Sequence, residues 1–241
     1  MTSIIERGAA TRPIVPPPAR KPGFFGSSTG QKAVMAVTGA VLVLFLAGHM
    51  AGNLKTFAGA TAFNEYAAWL REVGYPALPK RAVLTLVEVV LVAAVGLHLW
   101  SAVALARRAA RARPVRYARR RRSQAGGYVV HIMRWGGLTI ALFVIYHLLD
   151  LTFGVANPAG PAATPYARVV AGFQHWYVTL VYTLAVVMVG LHLRHGLWSA
   201  FQTLGLGRHR KALQAGAVLV SAGLVAGFLS VPYAVLIGVV R

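Results

Sequence analysis

The chain has 241 residues, of which 57% are apolar and 12% charged; it carries 25 Lys and Arg against 5 Asp and Glu, and no cysteine. A soluble domain has about 25% charged residues. Here no Lys, Arg, Asp or Glu occurs in 33–54, 89–106, 169–193 or 212–240, runs close to or above the roughly 20 residues that carry a helix across a bilayer. This excludes a soluble globular fold, and the lack of cysteine excludes a disulfide framework or a thiolate-ligated metal or iron–sulfur cluster within this chain.

In chain order, residues 1–31 form a basic, proline-rich tail ("PIVPPPARKPG") without the early apolar core of a secretory signal. The first membrane helix is expected to serve as its own uncleaved insertion signal. Residues 32–241 form the membrane domain, with helices expected at about 32–54, 82–105, 128–153, 169–201 and 212–239. They lack the dyad alternation of a barrel, so they are read as helices. The fourth is longer than a bilayer requires and is expected to project into water. Between the first two lies "ATAFNEYAAWLREVG", with Phe63, Tyr66, Ala67 and Leu70 at helical spacing and Gly74 and Pro76 as terminators. This segment is expected to lie along the outer interface.

A net charge of +20 raises the question of nucleic acid. The distribution answers it. Nine arginines fall between Arg107 and Arg122, in the loop joining the second and third runs, and "GRHRKA" joins the fourth and fifth. Such clusters beside apolar runs set topology and rest on anionic lipid headgroups; they also suit an acidic partner. The N-terminus is therefore expected on the cytoplasmic side and the C-terminus outside, and no nucleic-acid partner is expected.

Eight histidines occur, and four of them lie one to a span: His49, His98, His147 and His192. At about 1.5 Å per residue, His49 and His147 fall near the outer side, His98 and His192 near the inner side. The pairs join alternate helices, so their side chains can meet across the interior of an antiparallel bundle. Two neutral imidazoles facing each other there can ligate one haem iron. Two levels imply two haems, one above the other, within a bundle of the first four helices. Gly48 and Gly52 flank His49, and Gly96 and Gly190 each stand two residues before a ligand in the matching strings "VGLHL". They either leave room for a flat macrocycle or pack helices closely. His195, three residues after His192, is read as an inner-edge group.

The strings "SSTGQKAVMAVTGAVLVLFLAGHMAGNL" and "HLRHGLWSAFQTLG" resemble the single-chain, five-helix, dihaem cytochrome b subunit of bacterial succinate dehydrogenase and fumarate reductase, the membrane anchor of respiratory complex II. The resemblance extends from Ser27 to the fifth helix. It implies a flavoprotein and an iron–sulfur subunit as partners, two b haems, and a quinone, commonly menaquinone, as electron acceptor. It implies membership of the respiratory chain and the tricarboxylic acid cycle, with succinate chemistry in the partners and no catalytic residue for it in this chain. A higher oligomer of the complex is compatible with it. The family's four axial ligands fall on His49, His98, His147 and His192, with Gly196 and Trp198 following the last. Some fumarate reductases carry a glutamate, tied to a proton path, where this chain has Gly190.

Quinone chemistry needs an apolar slot, hydrogen bonds and a proton source. Ser28 and Lys32 lie on one face of the entering helix; they serve a quinone, or cap the helix and reach headgroups. Glu65, Tyr66, Trp69 and Glu72 lie near the outer histidines as a quinone contact or a solvated face. Arg134, Arg194 and His195 lie near the inner level, beside a haem propionate, a quinone or lipid phosphate. Asp150 and Glu88 are acids within spans. The competing readings are a dihaem b subunit of a hydrogenase or formate dehydrogenase, and a polytopic transporter with a histidine proton relay.

Overall fold

A backbone in lipid must satisfy its own N–H and C=O groups, and a helix does so within one segment. The computed structural model describes residues 23–112, 132–203, 205 and 209–241. In these, seven α-helices follow one another: α1 Ser28–Asn53, α2 Ala60–Trp69, α3 Ala82–Arg111, α4 Gly137–His147, α5 Pro165–Phe173, α6 Trp176–Thr203 and α7 Arg210–Leu236. No strand occurs among the described residues. Wider π-helical turns, Ile132–Gly136 and Leu148–Thr152, extend α4 at both ends. Five segments are long and apolar enough to cross a membrane: Ser28–Ala58, Ala82–Arg111, Ile132–Thr152, Trp176–Thr203 and Arg210–Leu236. The protein is an all-α, multi-pass membrane protein. Below, "inner" denotes the end holding the start of α1, and "outer" the end holding α2 and α5.

The helix ends differ from the sequence expectation for identifiable reasons. The first helix starts at Ser28, not near Lys32, because the Ser27 side chain caps it, accepting from the Gly30 N–H at 3.0 Å. Ser28 is therefore not the cap. The second helix runs on to Arg111, and its last turn carries Arg108 and Arg111, cations that suit the carbonyl-rich C-terminus. The Arg108 guanidinium donates to the Gly26 carbonyl, tying the inner ends of α1 and α3 together. The remaining arginines of that loop, the expected start of the third run at 128–131, residues 204 and 206, residues 207–208 of the basic turn, and residues 1–22 lie outside the described residues.

The fourth expected helix, 169–201, is parts of two helices, not one. α5 ends at Phe173 and α6 begins at Trp176. Thr164 caps α5 by accepting from the Ala167 N–H at 3.3 Å, and Pro165 occupies its first position. At the break the buried Thr179 hydroxyl donates to the Phe173 carbonyl at 3.2 Å. A polar backbone group freed by the interruption thereby regains a partner. α5 is amphipathic, burying Val169, Gly172 and Phe173.

α2 and α5 meet at the outer end. Phe63 packs on Tyr166 with ring centroids 6.1 Å apart, and the Tyr166 N–H donates to Asn64 Oδ1 at 3.1 Å. Phe63, Tyr66, Ala67 and Leu70 are half-buried, whereas Glu65, Trp69 and Glu72 are exposed. The principal apolar cluster lies at this end. It includes Val169, Phe173, Val178, Tyr182, Val231 and Val235, with Phe63, Phe143 and Tyr146 against it. α7 closes on α6 and α1 where glycine permits. A Cβ on Gly190 would run into the Val225 side chain, and one on Gly227 into Met50, the close approach that small residues allow between membrane helices.

Candidate functional site

The four span histidines meet in two pairs. At the outer level the rings of His49 and His147 have centroids 5.8 Å apart at 86° to each other. At the inner level those of His98 and His192 are 6.4 Å apart at 60°. All four residues are half-buried. Among the described residues no three His, Cys, Asp or Glu side chains converge on one point, so the histidines meet strictly in twos.

The helices carry their own ruler for the distance between levels. Gly39 of α1 lies against His98, where a Cβ would stand 3.5 Å from its Cε1. Gly137 of α4 lies against His192 at 3.8 Å in the same sense. Gly39 is ten residues before His49, and Gly137 ten before His147. At about 1.5 Å per residue, both helices put the levels roughly 15 Å apart along their axes. Within a hydrocarbon core of about 30 Å, one level falls towards each side.

At two of the four histidines the neighbouring hydroxyls favour one imidazole tautomer. The Thr38 hydroxyl donates to the Val34 carbonyl at 2.7 Å, so its oxygen is free to accept from His98 Nδ1–H at 3.2 Å. The Tyr182 hydroxyl donates to Asp150 Oδ2 at 2.8 Å, so its oxygen accepts from His147 Nδ1–H at 3.4 Å. Each contact leaves Nε2 with its lone pair. His192 differs, because its Nδ1 is buried and has no partner among the described residues. The ring of His49 stacks on Phe45 at 5.2 Å and packs against Phe228 of α7 at 5.9 Å.

The glycines near the histidines fall into two groups. A Cβ on Gly48, Gly96 or Gly196 would meet nothing within 4 Å. Gly52 packs on the Tyr66 ring, and Gly190 on Val225. The two "VGLHL" strings therefore place their glycines differently: among the described residues nothing lies against Gly96, and Gly190 is a helix-packing residue. A glutamate at 190 has no room there.

The remaining candidates stand apart from the pairs. Ser28, Lys32, Arg134 and Arg194 are exposed, and His195 is half-buried outside both ring pairs. Glu72 forms an exposed ion pair with Lys80 at 2.7 Å, worth at most about 1 kcal/mol. Tyr66 stacks on Trp69 with centroids 5.8 Å apart. No direct contact joins Glu65, Trp69 or Glu72 to His49 or His147 among the described residues. Sequence reasoning missed Thr38 and Tyr182. Neither has a local signal; each was recognisable only by its depth, level with a span histidine on a neighbouring helix.

Compared with known proteins, the chain matches no family model, no curated protein and no solved structure.

Proposed function

We propose that this chain is the membrane-anchor cytochrome b subunit of a succinate:quinone oxidoreductase, binding one b haem between His49 and His147 and a second between His98 and His192. The observation that carries this reading is the meeting of two histidine pairs at two levels. Imidazoles on opposite sides of one metal ion, with metal–nitrogen bonds of about 2.0 Å, have ring centroids roughly 6 Å apart. The observed 5.8 and 6.4 Å suit that arrangement. A bare ion would need three or more ligands, and the pairs offer two each. An ion held equatorially by a macrocycle needs two. Gly196, four residues after His192 and so on its helix face, has nothing within 4 Å of a built Cβ among the described residues, which suits a flat group beside that histidine.

Bound haem supplies one-electron redox chemistry. The protein's own part is to oppose the rings, keep their Nε2 lone pairs available through Thr38 and Tyr182, and enclose the pairs among apolar helices. The inner end bears Arg107, Arg108 and Arg111 on α3, and Arg210 and Lys211 at the start of α7. This basic face suits cytoplasmic docking of the flavoprotein and iron–sulfur subunits in a bacterial inner membrane, with the N-terminus inside. Electrons would then pass between the iron–sulfur subunit and a quinone, with menaquinone as the expected one. Ser28 and Lys32 are the inner quinone candidates; Tyr66, Trp69 and the nearby carboxylates Glu65 and Glu72 are the outer ones.

The reading is tested by purifying the full chain from membranes with its partners and recording reduced-minus-oxidised spectra. The expected result is a b-type α-band, two haems per chain, and a co-purifying flavoprotein that oxidises succinate. Absence of the α-band would sink the haem assignment and favour a histidine relay. A two-haem chain travelling with another oxidoreductase would move it to a hydrogenase- or formate dehydrogenase-type anchor.

A further inference from the structure

Asp150 is an acid inside a membrane span, and it is 1% exposed. It lies in the π-helical turn Leu148–Thr152 that follows His147. Such turns are rare and gather at functional sites. Burying a carboxylate is costly, and the cost falls where its oxygens find donors. Here both do. Oδ1 accepts from Asn157 Nδ2 at 2.6 Å, and Oδ2 accepts from the Tyr182 hydroxyl at 2.8 Å. The Asn157 orientation is fixed independently, since its Oδ1 accepts from the Ala159 N–H at 3.0 Å and its Nδ2 also donates to the Arg168 carbonyl at 3.1 Å. No cation forms an ion pair with Asp150 among the described residues. The Arg168 guanidinium instead donates to the carbonyls of Leu151, Thr152 and Pro161, holding the loop over this network. Gly172 leaves the room: a Cβ there would stand 3.2 Å from Asn157 Nδ2.

The direction of this hydrogen-bond chain matters. Asn157 Nδ2 is solely a donor, so it fixes one carboxylate oxygen as an acceptor. If the Tyr182 proton points to Asp150, the Tyr182 oxygen accepts from His147 Nδ1–H, and Nε2 keeps its lone pair. If the chain ran the other way, from a protonated Asp150 through Tyr182 into His147 Nδ1, then Nε2 would carry the proton and could ligate nothing. A carboxylate at 150 selects the first arrangement. Tyr182 is held in place for it by edge-to-face contacts with Phe143 and Phe173, at 5.0 and 4.8 Å.

We propose that Asp150, acting through Tyr182, is a positioning residue for the outer pair: it fixes the tautomer and ring orientation of His147 and adds a negative charge to the outer site alone. This rests on the reading of His147 as a haem ligand. Acidic partners behind a ligating histidine raise its basicity, and a nearby negative charge favours the more positive, oxidised metal. Among the described residues the inner level has no counterpart, because His98 faces the neutral Thr38 hydroxyl and His192 Nδ1 has no partner there.

The test uses the full chain in its complex, with Asp150→Asn and Tyr182→Phe. Haem content is counted first; each haem is then followed by redox titration and low-temperature electron paramagnetic resonance. His147→Ala identifies which signal is the outer one. Tyr182→Phe removes one oxygen and leaves the ring packing, so it remains informative if Asp150→Asn disturbs the loop. The expected result is an upward shift of the outer midpoint and a changed outer ligand-field signal in both single variants, with the inner haem unmoved. Retention of the outer haem should weaken by about 10- to 100-fold. Asp150→Asn should shift the midpoint further than Tyr182→Phe, because it removes the charge whereas Tyr182→Phe removes only the hydroxyl that relays it. A two-haem wild type whose outer midpoint and spectrum are unmoved by Tyr182→Phe would overturn this inference and leave the proposed function standing. So would an outer midpoint unmoved by Asp150→Asn. A wild type without b haem would remove both.

Discussion

The two histidine levels have similar pair geometry and different surroundings. The outer pair lies beside the main apolar cluster, with aromatic rings of Phe45, Phe143, Tyr182 and Phe228 against it and a carboxylate behind it. At the inner pair, among the described residues, one histidine faces a threonine, the other has an unpartnered nitrogen, and nothing lies against Gly96 or Gly196. The contrast separates two tasks. Opposing two imidazoles takes only one histidine per helix at matched depth. Making the two sites unequal takes residues on neighbouring helices that touch neither Nε2. A chain passing electrons between two bound groups needs the second task as much as the first.

The largest effects should come from the ligands themselves. His147→Ala and His192→Ala are each expected to reduce haem content from two to one per chain, removing the outer and inner haem respectively, while His195→Ala keeps both. Haem-to-protein ratios by pyridine haemochrome would check this, and loss of haem from His195→Ala with retention in His192→Ala would reverse the ligand assignment. Next come the packing glycines. Gly190→Ala forces a methyl into Val225, and overpacking of this kind costs about 1–3 kcal/mol. Gly96→Ala, two residues before the other inner histidine, meets nothing within 4 Å and should leave protein stability unchanged. Thermal unfolding of the two variants side by side would test the division; equal destabilisation would remove it. Thr179→Val leaves the Phe173 carbonyl at the α5–α6 break without its side-chain partner. The cost should be about 1–3 kcal/mol, expressed as faster amide exchange at the outer end and not the inner.

Most of the membrane architecture was legible in the sequence, because the absence of charge over some twenty residues has few physical outcomes in a chain of this kind. The histidine pairs were legible for a related reason: rise per residue converts position into depth, and depth decides which side chains can meet. The break at Gln174–His175 was not, since Val169 to Leu193 is free of charge and apolarity does not distinguish a spanning helix from an interfacial one. Thr164–Pro165, a cap followed by a first-position proline, was the available signal. The end of α3 was placed too early, because arginines extending a helix into headgroups read the same as arginines in a loop. The roles of Gly96 and Gly190 could not be told apart at all. Their local strings are identical, and the difference resides in what the neighbouring helix presents.

Thr38→Val should have the smallest effect and is the sharpest comparison with the outer level. Valine is close to threonine in volume, so α1 keeps its packing against α3. The Val34 and Met35 carbonyls lose a side-chain donor but retain their places in the helix ladder. What is removed is the acceptor for His98 Nδ1–H. With a neutral hydroxyl behind it, His98 gains orientation and little charge, so the inner haem should stay bound and its midpoint should move less than the outer midpoint does in Asp150→Asn. The orientation change should still appear as a broadened inner signal in electron paramagnetic resonance, with the outer signal unchanged. An inner shift as large as the outer one would mean that tautomer and ring orientation, and not the charge of Asp150, set the difference between the levels.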